Sequence, residues 1–204
     1  LTDTTLLIAT TNQGKTKEIQ CILKGLSLAV ASLLDFEFAD IYEEDSSSFL
    51  ANARGKSLFY GRTWDGLTLG EDSGLEIDFL EGEPGVRSAR FSDPGATDEK
   101  NITKVLRLMK GVPKEERKAR FVSCMVLSQG GKILTEITGE ARGRITTAKK
   151  GTSGFGYDPI FYYPPLKRTF AELSPEEKNR VSHRGQALIK LKTFLQDHLS
   201  RSKT

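Results

Sequence analysis

Cysteine is scarce: Cys21 and Cys124 are the only two in 204 residues. They lie far apart and inside apolar segments. That excludes a disulfide framework or a cysteine-rich zinc site and predicts two buried, reduced thiols. Long apolar runs are missing as well. No stretch approaches the ~18 residues of a membrane span. The first apolar run, Leu6 to Ala9, is too short for a secretory signal and lacks its basic flank. These absences predict a cytoplasmic chain with no membrane partner. Charge is not one-sided either, with 30 basic against 27 acidic residues and a net +3. The charges are interspersed, and no basic cluster extends beyond Lys149-Lys150, so a nucleic-acid partner is not expected. No internal repeat, low-complexity tract or linker interrupts the sequence. A single domain over 1–204 is expected, a length that buries roughly 70% of its unfolded surface.

What is present is an interleaving of helical and extended patterns. Leu6 to Ala9 reads as a strand entering the polar loop Thr10 to Gly14. From Lys15, Ile19, Ile22, Leu23 and Leu26 keep helical spacing. Leu28 to Leu33 offers the next strand. Ser46, Ser47 and Ser48 are N-cap choices for a second helix, with Phe49, Ala53, Ser57 and Tyr60 on one face. Leu67 to Leu69 and Leu75 to Leu80 flank Glu71-Asp72-Ser73-Gly74, which reads as an acidic turn. Thr97 precedes a third helix marked by Ile102, Val105, Leu106 and Met109. Phe121 to Leu127 is apolar on both alternating faces, the pattern of a central buried strand. Ile133, Thr135 and Ile137 alternate like its partner. Ala187, Leu188, Leu191, Phe194 and Leu195 mark a final helix. The pattern predicts a mixed α/β fold.

Four segments have side chains suited to chemistry. Thr10-Thr11-Asn12-Gln13-Gly14-Lys15 joins a strand to a helix, whose N-terminus attracts anions while Lys15 adds a positive charge. It is not a Walker A loop, since G-x-x-x-x-G-K-[ST] is absent; an ordinary strand-to-helix turn has the same look. Glu43-Glu44-Asp45 precedes Asn52 and Lys56, which are four apart and share a helical face; a solvated N-terminal turn is the plainer alternative. Asp72 together with Glu44 would give Mg²⁺ the carboxylate oxygens it prefers, and a tight turn would use the same residues. Finally, Gly151 to Pro159 surrounds Phe155 with glycines, exposing a ring on which a base can stack. Asp158 is an acceptor for a base N–H, and His183 and Arg184 are donors. A flexible loop and a surface pair at a helix start are the competing readings there.

Taken in order, the motifs resemble the inosine/xanthosine triphosphate pyrophosphatases. The matching segments are T-x-N-x-x-K at Thr10, Asn12 and Lys15, D-S-G-L from Asp72, P-G-x-x-S-A-R from Pro84, F-G-Y-D-P from Phe155, and S-H-R-G-Q-A-L from Ser182. They run from near residue 6 to near residue 190. Two positions depart from the pattern: Ala51 where members often have Glu, and Glu71 where many have Asp.

The resemblance implies an α/β fold with a long central mixed sheet flanked by helices, and two lobes with an active-site cleft between them. It implies a homodimer that requires Mg²⁺. It also implies conversion of inosine, deoxyinosine and xanthosine triphosphates to the monophosphate and pyrophosphate. Carried over by position, Thr10, Thr11, Asn12, Gln13, Gly14, Lys15 and Lys56 bind the triphosphate. Glu44 and Asp72 hold Mg²⁺, and Asp72 activates the water. Ser73 touches the nucleotide, while Phe155, Gly156, Tyr157, Asp158, Lys178, His183 and Arg184 surround base and sugar. Selectivity would rest on the 6-oxygen of the purine, an acceptor for His183 or Arg184 that adenosine lacks. The alternatives are a nucleotide sensor without turnover, or a house-cleaning pyrophosphatase for modified pyrimidine nucleotides.

Overall fold

The first apolar run forms β1 (Thr5–Ile8), and the helix after it, α1 (Gln13–Leu23), starts two residues before Lys15 because Asn12 caps it. These assignments come from a computed structural model describing residues 5–38, 40–44 and 48–201. Ser46, Ser47 and Asp45 therefore lie outside the described residues. Ser48 caps α2 (Phe49–Gly61). Between these helices runs β2 (Ala29–Ser32); Leu26 falls beyond the end of α1. The remaining strands are β3 (Leu67–Ile77), β4 (Lys118–Gln129), β5 (Lys132–Ile145), β6 (Phe161–Tyr163) and β7 (Arg168–Thr169). The other helices are α3 (Asp98–Leu108), α4 (Pro175–Val181) and α5 (His183–Arg201).

The strands form one seven-stranded mixed sheet in the order β2-β1-β3-β4-β5-β6-β7. The β1 strand runs parallel to β2, with Leu6 beside Val30, and to β3, with Leu6 beside Leu67. Parallel neighbours need a crossover connection, which α1 and α2 supply. At the other end β6 is antiparallel to both β5 and β7. The sheet is open, with β2 and β7 as its edges.

The described residues divide into two compact units: those within 1–72, 123–139 and 184–204 form one, and 73–122 with 140–183 the other. In the first, Leu6, Ile8, Leu67, Leu69, Met125 and Leu127 from the sheet pack with Ile19 and Leu23 of α1 and with Ala187, Leu188, Leu191 and Leu195 of α5. Leu7, Ala9 and Tyr60 form a separate cluster that involves α2. The second unit is built around Phe121, Phe161 and Phe170 with Ile102 and Val105 of α3 and Met109 at its C-terminal end. Each leucine, isoleucine, valine, methionine or phenylalanine among them, fully buried, stabilises the fold by about 1.5–3 kcal/mol.

Two expectations are corrected. Glu71-Asp72-Ser73-Gly74 is not a turn: β3 runs through it without a break. The pattern looked like a turn because four polar or small residues interrupt two apolar runs. They remain in a central strand because buried partners satisfy both carboxylates. The second correction concerns Cys21, which is exposed on α1, whereas Cys124 is buried; both thiols are free. Position 21 lies off the Thr16, Ile19, Leu23 stripe that α1 buries.

Candidate functional site

Period-two alternation along β3 turns the side chains of Glu71 and Asp72 to opposite faces of the sheet. Glu71 is completely buried. Its carboxylate accepts from Ser123 Oγ on β4 at 2.9 Å and from the Arg184 guanidinium on α5 at 3.1 and 3.2 Å. The Lys15 ammonium of α1 lies 2.7 Å from its other oxygen. Arg184 also donates to Glu18 of α1 at 2.6 Å. Burial alone would raise the Glu71 pKa, but Arg184 and Lys15 outweigh it and hold the carboxyl well below its usual range. The guanidinium responds in kind: burial opposes its charge, and Glu71 and Glu18 more than restore it.

Asp72 meets α2. Asn52, itself fully buried, donates through Nδ2 to Asp72 Oδ2 at 2.9 Å. Lys56 Nζ donates to the Glu71 carbonyl at 3.0 Å and stands 2.6 Å from Glu44 and 3.7 Å from Asp72 Oδ1. This close approach depends on Gly70. A Cβ there would collide with the Ala53 carbonyl oxygen and the Ser57 backbone. Burial dominates at Asp72 and raises its pKa against the pull of Lys56 and Lys15. Lys56 shows the opposite balance: burial disfavours its charge, yet Asp72 and Glu44 raise its pKa overall.

The loop ahead of α1 is built from its own side chains. Thr10 Oγ1 accepts from Asn12 N at 3.2 Å, and Asn12 Oδ1 accepts from Lys15 N at 3.1 Å. Thr11, Asn12 and Gln13 are exposed, and Gly14 and Lys15 half-buried. Among the described residues, this group brings three cations (Lys15, Lys56, Arg184) to four carboxylates (Glu18, Glu44, Glu71, Asp72).

The second unit holds the other predicted group. Lys178 Nζ lies 2.5 Å from Asp158 Oδ2 and 4.7 Å from the centre of the Phe155 ring. Asp158 Oδ2 also accepts from Phe155 N at 3.0 Å, which curls the loop around its own carboxylate. Gly154, at φ +77°, makes room for this: a Cβ would strike Asp158 Oδ2. Gly156 N donates to Asp98 at 2.7 Å. The Tyr157 ring is core, and its hydroxyl donates to the Ser88 carbonyl at 2.8 Å. Burial pushes that phenol's pKa up, with Asp98 adding to the shift. His183 is buried and stacks on Phe121, with ring centres 4.6 Å apart and planes at 9°. Ser73 is half-buried on β3, one residue after Asp72.

The predicted residues thus separate into Lys15, Glu44, Lys56, Asp72 and Arg184 in one unit and Phe155, Asp158, Lys178 and His183 in the other. Arg184 and Lys15 share the carboxylate of Glu71. Sequence reasoning passed over Glu18 and Ser123 as site residues and treated Glu71 as a departure, while Asn52 was read only as sharing a helical face with Lys56. Glu18 had a signal, since it lies three residues after Lys15 on one helical face. The P-G-x-x-S-A-R segment also proves to be a brace. Ser88 Oγ accepts from Leu75 N and donates to Gly85 O, and Asn101 Nδ2 donates to the carbonyls of Ser88 and Ala89.

Residues 6–194 match the Ham1 family. The chain belongs to that family. It is 44% identical to a dITP/XTP pyrophosphatase of Desulfotalea psychrophila, over 97% of this chain and 91% of that protein. It is 46% identical to the protein of the same name from Geobacter sulfurreducens, over 96% of each. Among solved structures, a HAM1 protein from Coxiella burnetii superposes with a TM-score of 0.86 at 37% identity, covering 95% of this chain and 99% of that one. The Ham1 protein of Staphylococcus aureus gives 0.84 at 36% identity, covering 95% and 99%.

Proposed function

We propose that this Ham1-family chain hydrolyses inosine, deoxyinosine and xanthosine triphosphates to the nucleoside monophosphate and pyrophosphate. The observation that carries the reading is Asp72, a buried carboxylate fixed by Asn52 and lying beside Lys56, with Glu44 on the same ammonium. The relatives named dITP/XTP pyrophosphatase support the substrate class.

The finer parts of the proposal are Mg²⁺, a homodimer and the cytoplasm. Four carboxylates against three cations would repel a triphosphate, so a divalent cation fits the charge of the group. Glu44 and Asp72 converge on one ammonium and supply the hard oxygens that Mg²⁺ prefers. Once bound there, the ion would neutralise phosphate charge. The homodimer finds support in Phe79 and Leu108, exposed apolar side chains around a hollow of about 410 Å³ in the second unit. Among the described residues no helix is long and apolar enough to cross a membrane.

In the proposed reaction, Asp72 Oδ takes a proton from water as the water oxygen bonds to the α-phosphorus. The bond from that phosphorus to the bridging oxygen breaks, and pyrophosphate leaves. General-base help of this kind contributes typically ~10²–10⁴-fold. Lys15 and Lys56 stabilise the departing charge. Phe155 offers its face to the base, and Asp158, Lys178, His183, Gly156 and Tyr157 form the base and sugar side. Hydrolysis of inosine triphosphate in ¹⁸O-water tests the point of attack. Label in the monophosphate supports the proposal, and label in the pyrophosphate places attack at the β-phosphorus and defeats it.

A further inference from the structure

Glu71 is held by three side chains yet has no part in the proposed reaction. Its carboxylate joins α1 through Lys15, α5 through Arg184 and β4 through Ser123, all onto β3. A glutamate buried on a central strand is costly unless every oxygen is matched by a donor. Here the matching donors include Lys15, the lysine of the phosphate loop. The carboxylate of Glu71 and an incoming phosphate therefore want the same ammonium. Arg184 cannot drift when Lys15 is drawn away, since Glu18 holds its other edge at 2.6 Å.

We propose that Glu71 is a positioning residue: its carboxylate aligns Lys15 against Arg184 and yields Lys15 to the pyrophosphate moiety of the substrate. This rests on the phosphate-binding part of the proposed function. It assigns a role to a residue that neither holds the metal nor takes the proton. A carboxylate that competes for Lys15 weakens ground-state binding. The same carboxylate fixes the lysine where the leaving group's charge develops.

Removing its charge therefore has opposite effects on affinity and rate. In Glu71→Gln, inorganic pyrophosphate binds about tenfold more tightly, the size of one charge-assisted hydrogen bond released. With inosine triphosphate, KM falls while kcat drops on the order of 10- to 100-fold, as expected when a binding group is misplaced by about an ångström. The gain in pyrophosphate affinity disappears in Lys15→Met/Glu71→Gln, because the two residues act as a pair. Glu71→Asp keeps the charge but is one methylene shorter, so pyrophosphate affinity stays at the wild-type level while kcat falls about tenfold. A structural role alone would lower the melting temperature and the active fraction without moving KM or pyrophosphate affinity.

The experiment is isothermal titration of pyrophosphate into wild type and the three variants, followed by steady-state kinetics. Unchanged or weaker pyrophosphate binding by Glu71→Gln overturns the proposal, as does wild-type kcat in Glu71→Asp. The titration needs no turnover. A wild type that binds pyrophosphate but leaves inosine triphosphate intact would therefore count against the activity and not against the role of Glu71.

Discussion

Replacing Lys178 with methionine isolates a buried ion pair of the second unit. The Lys178 and Asp158 side chains are only 6% and 2% exposed, and their charged atoms are 2.5 Å apart. Methionine keeps most of the length and removes the charge. Asp158 then keeps the Phe155 N–H at 3.0 Å but loses the cation that compensates its burial. Breaking one side of a buried pair costs about 3–5 kcal/mol, mostly from the charge left behind. At about 2–4 °C per kcal/mol for a chain of this size, a loss near 4 kcal/mol lowers the melting temperature by about 8–16 °C. Thermal unfolding followed by circular dichroism reads this directly. The double variant Lys178→Met/Asp158→Asn, with neither charge of the pair left, should recover at least half of the loss. A Lys178→Met protein melting within about 2 °C of wild type would refute the reasoning, because it would mean that Asp158 does not need the ammonium.

Three further outcomes are expected. Arg117 is buried and donates to the carbonyls of Met109, Ile145 and Thr146 at 2.7 Å, with burial lowering its pKa. Arg117→Met should therefore destabilise by about 2–4 kcal/mol in urea titration, and no change in the unfolding midpoint would contradict this. Asn52→Ala removes the donor to Asp72 and should cut turnover of inosine triphosphate on the order of 10- to 100-fold; full activity in a folded variant would remove Asn52 from the account. Glu172 is held below its ordinary range by the backbone N–H and hydroxyl of Thr169. A depressed carboxyl contributes stability above its unfolded value and loses it as pH falls through the folded one. The melting-temperature gap between wild type and Glu172→Gln should thus close on acidification, and a gap independent of pH would count against it.

The fold was legible where burial follows a single period. Phe49, Ala53, Ser57 and Tyr60 mark one face of α2 and are all buried, and Thr97 caps α3 as its position before the apolar stripe suggested. β3 was misread because local propensity cannot show partners distant in sequence. Glu71 and Asp72 look like turn residues until Lys15, Arg184, Asn52 and Lys56 arrive from three helices. Cys21 was misjudged for a related reason: an apolar neighbourhood in sequence says little about which side of a helix faces solvent. The mixed sheet was implied by resemblance, while the strand order depended on pairings that no single segment encodes. Among the site residues, Lys56 and Asn52 were legible as one helical face. The link between Arg184 and Lys15 was not, because it runs through a carboxylate buried between elements far apart in the chain.

The central claim, that this Ham1-family chain cleaves non-standard purine triphosphates to monophosphate and pyrophosphate, is tested most directly by a substrate panel. Inosine, xanthosine, guanosine and adenosine triphosphates are incubated with the protein, with and without Mg²⁺, and the products are identified. The account predicts monophosphate plus pyrophosphate, fast from inosine and xanthosine triphosphates and only with Mg²⁺. Orthophosphate as the product, or equal rates on adenosine and inosine triphosphates, would contradict it.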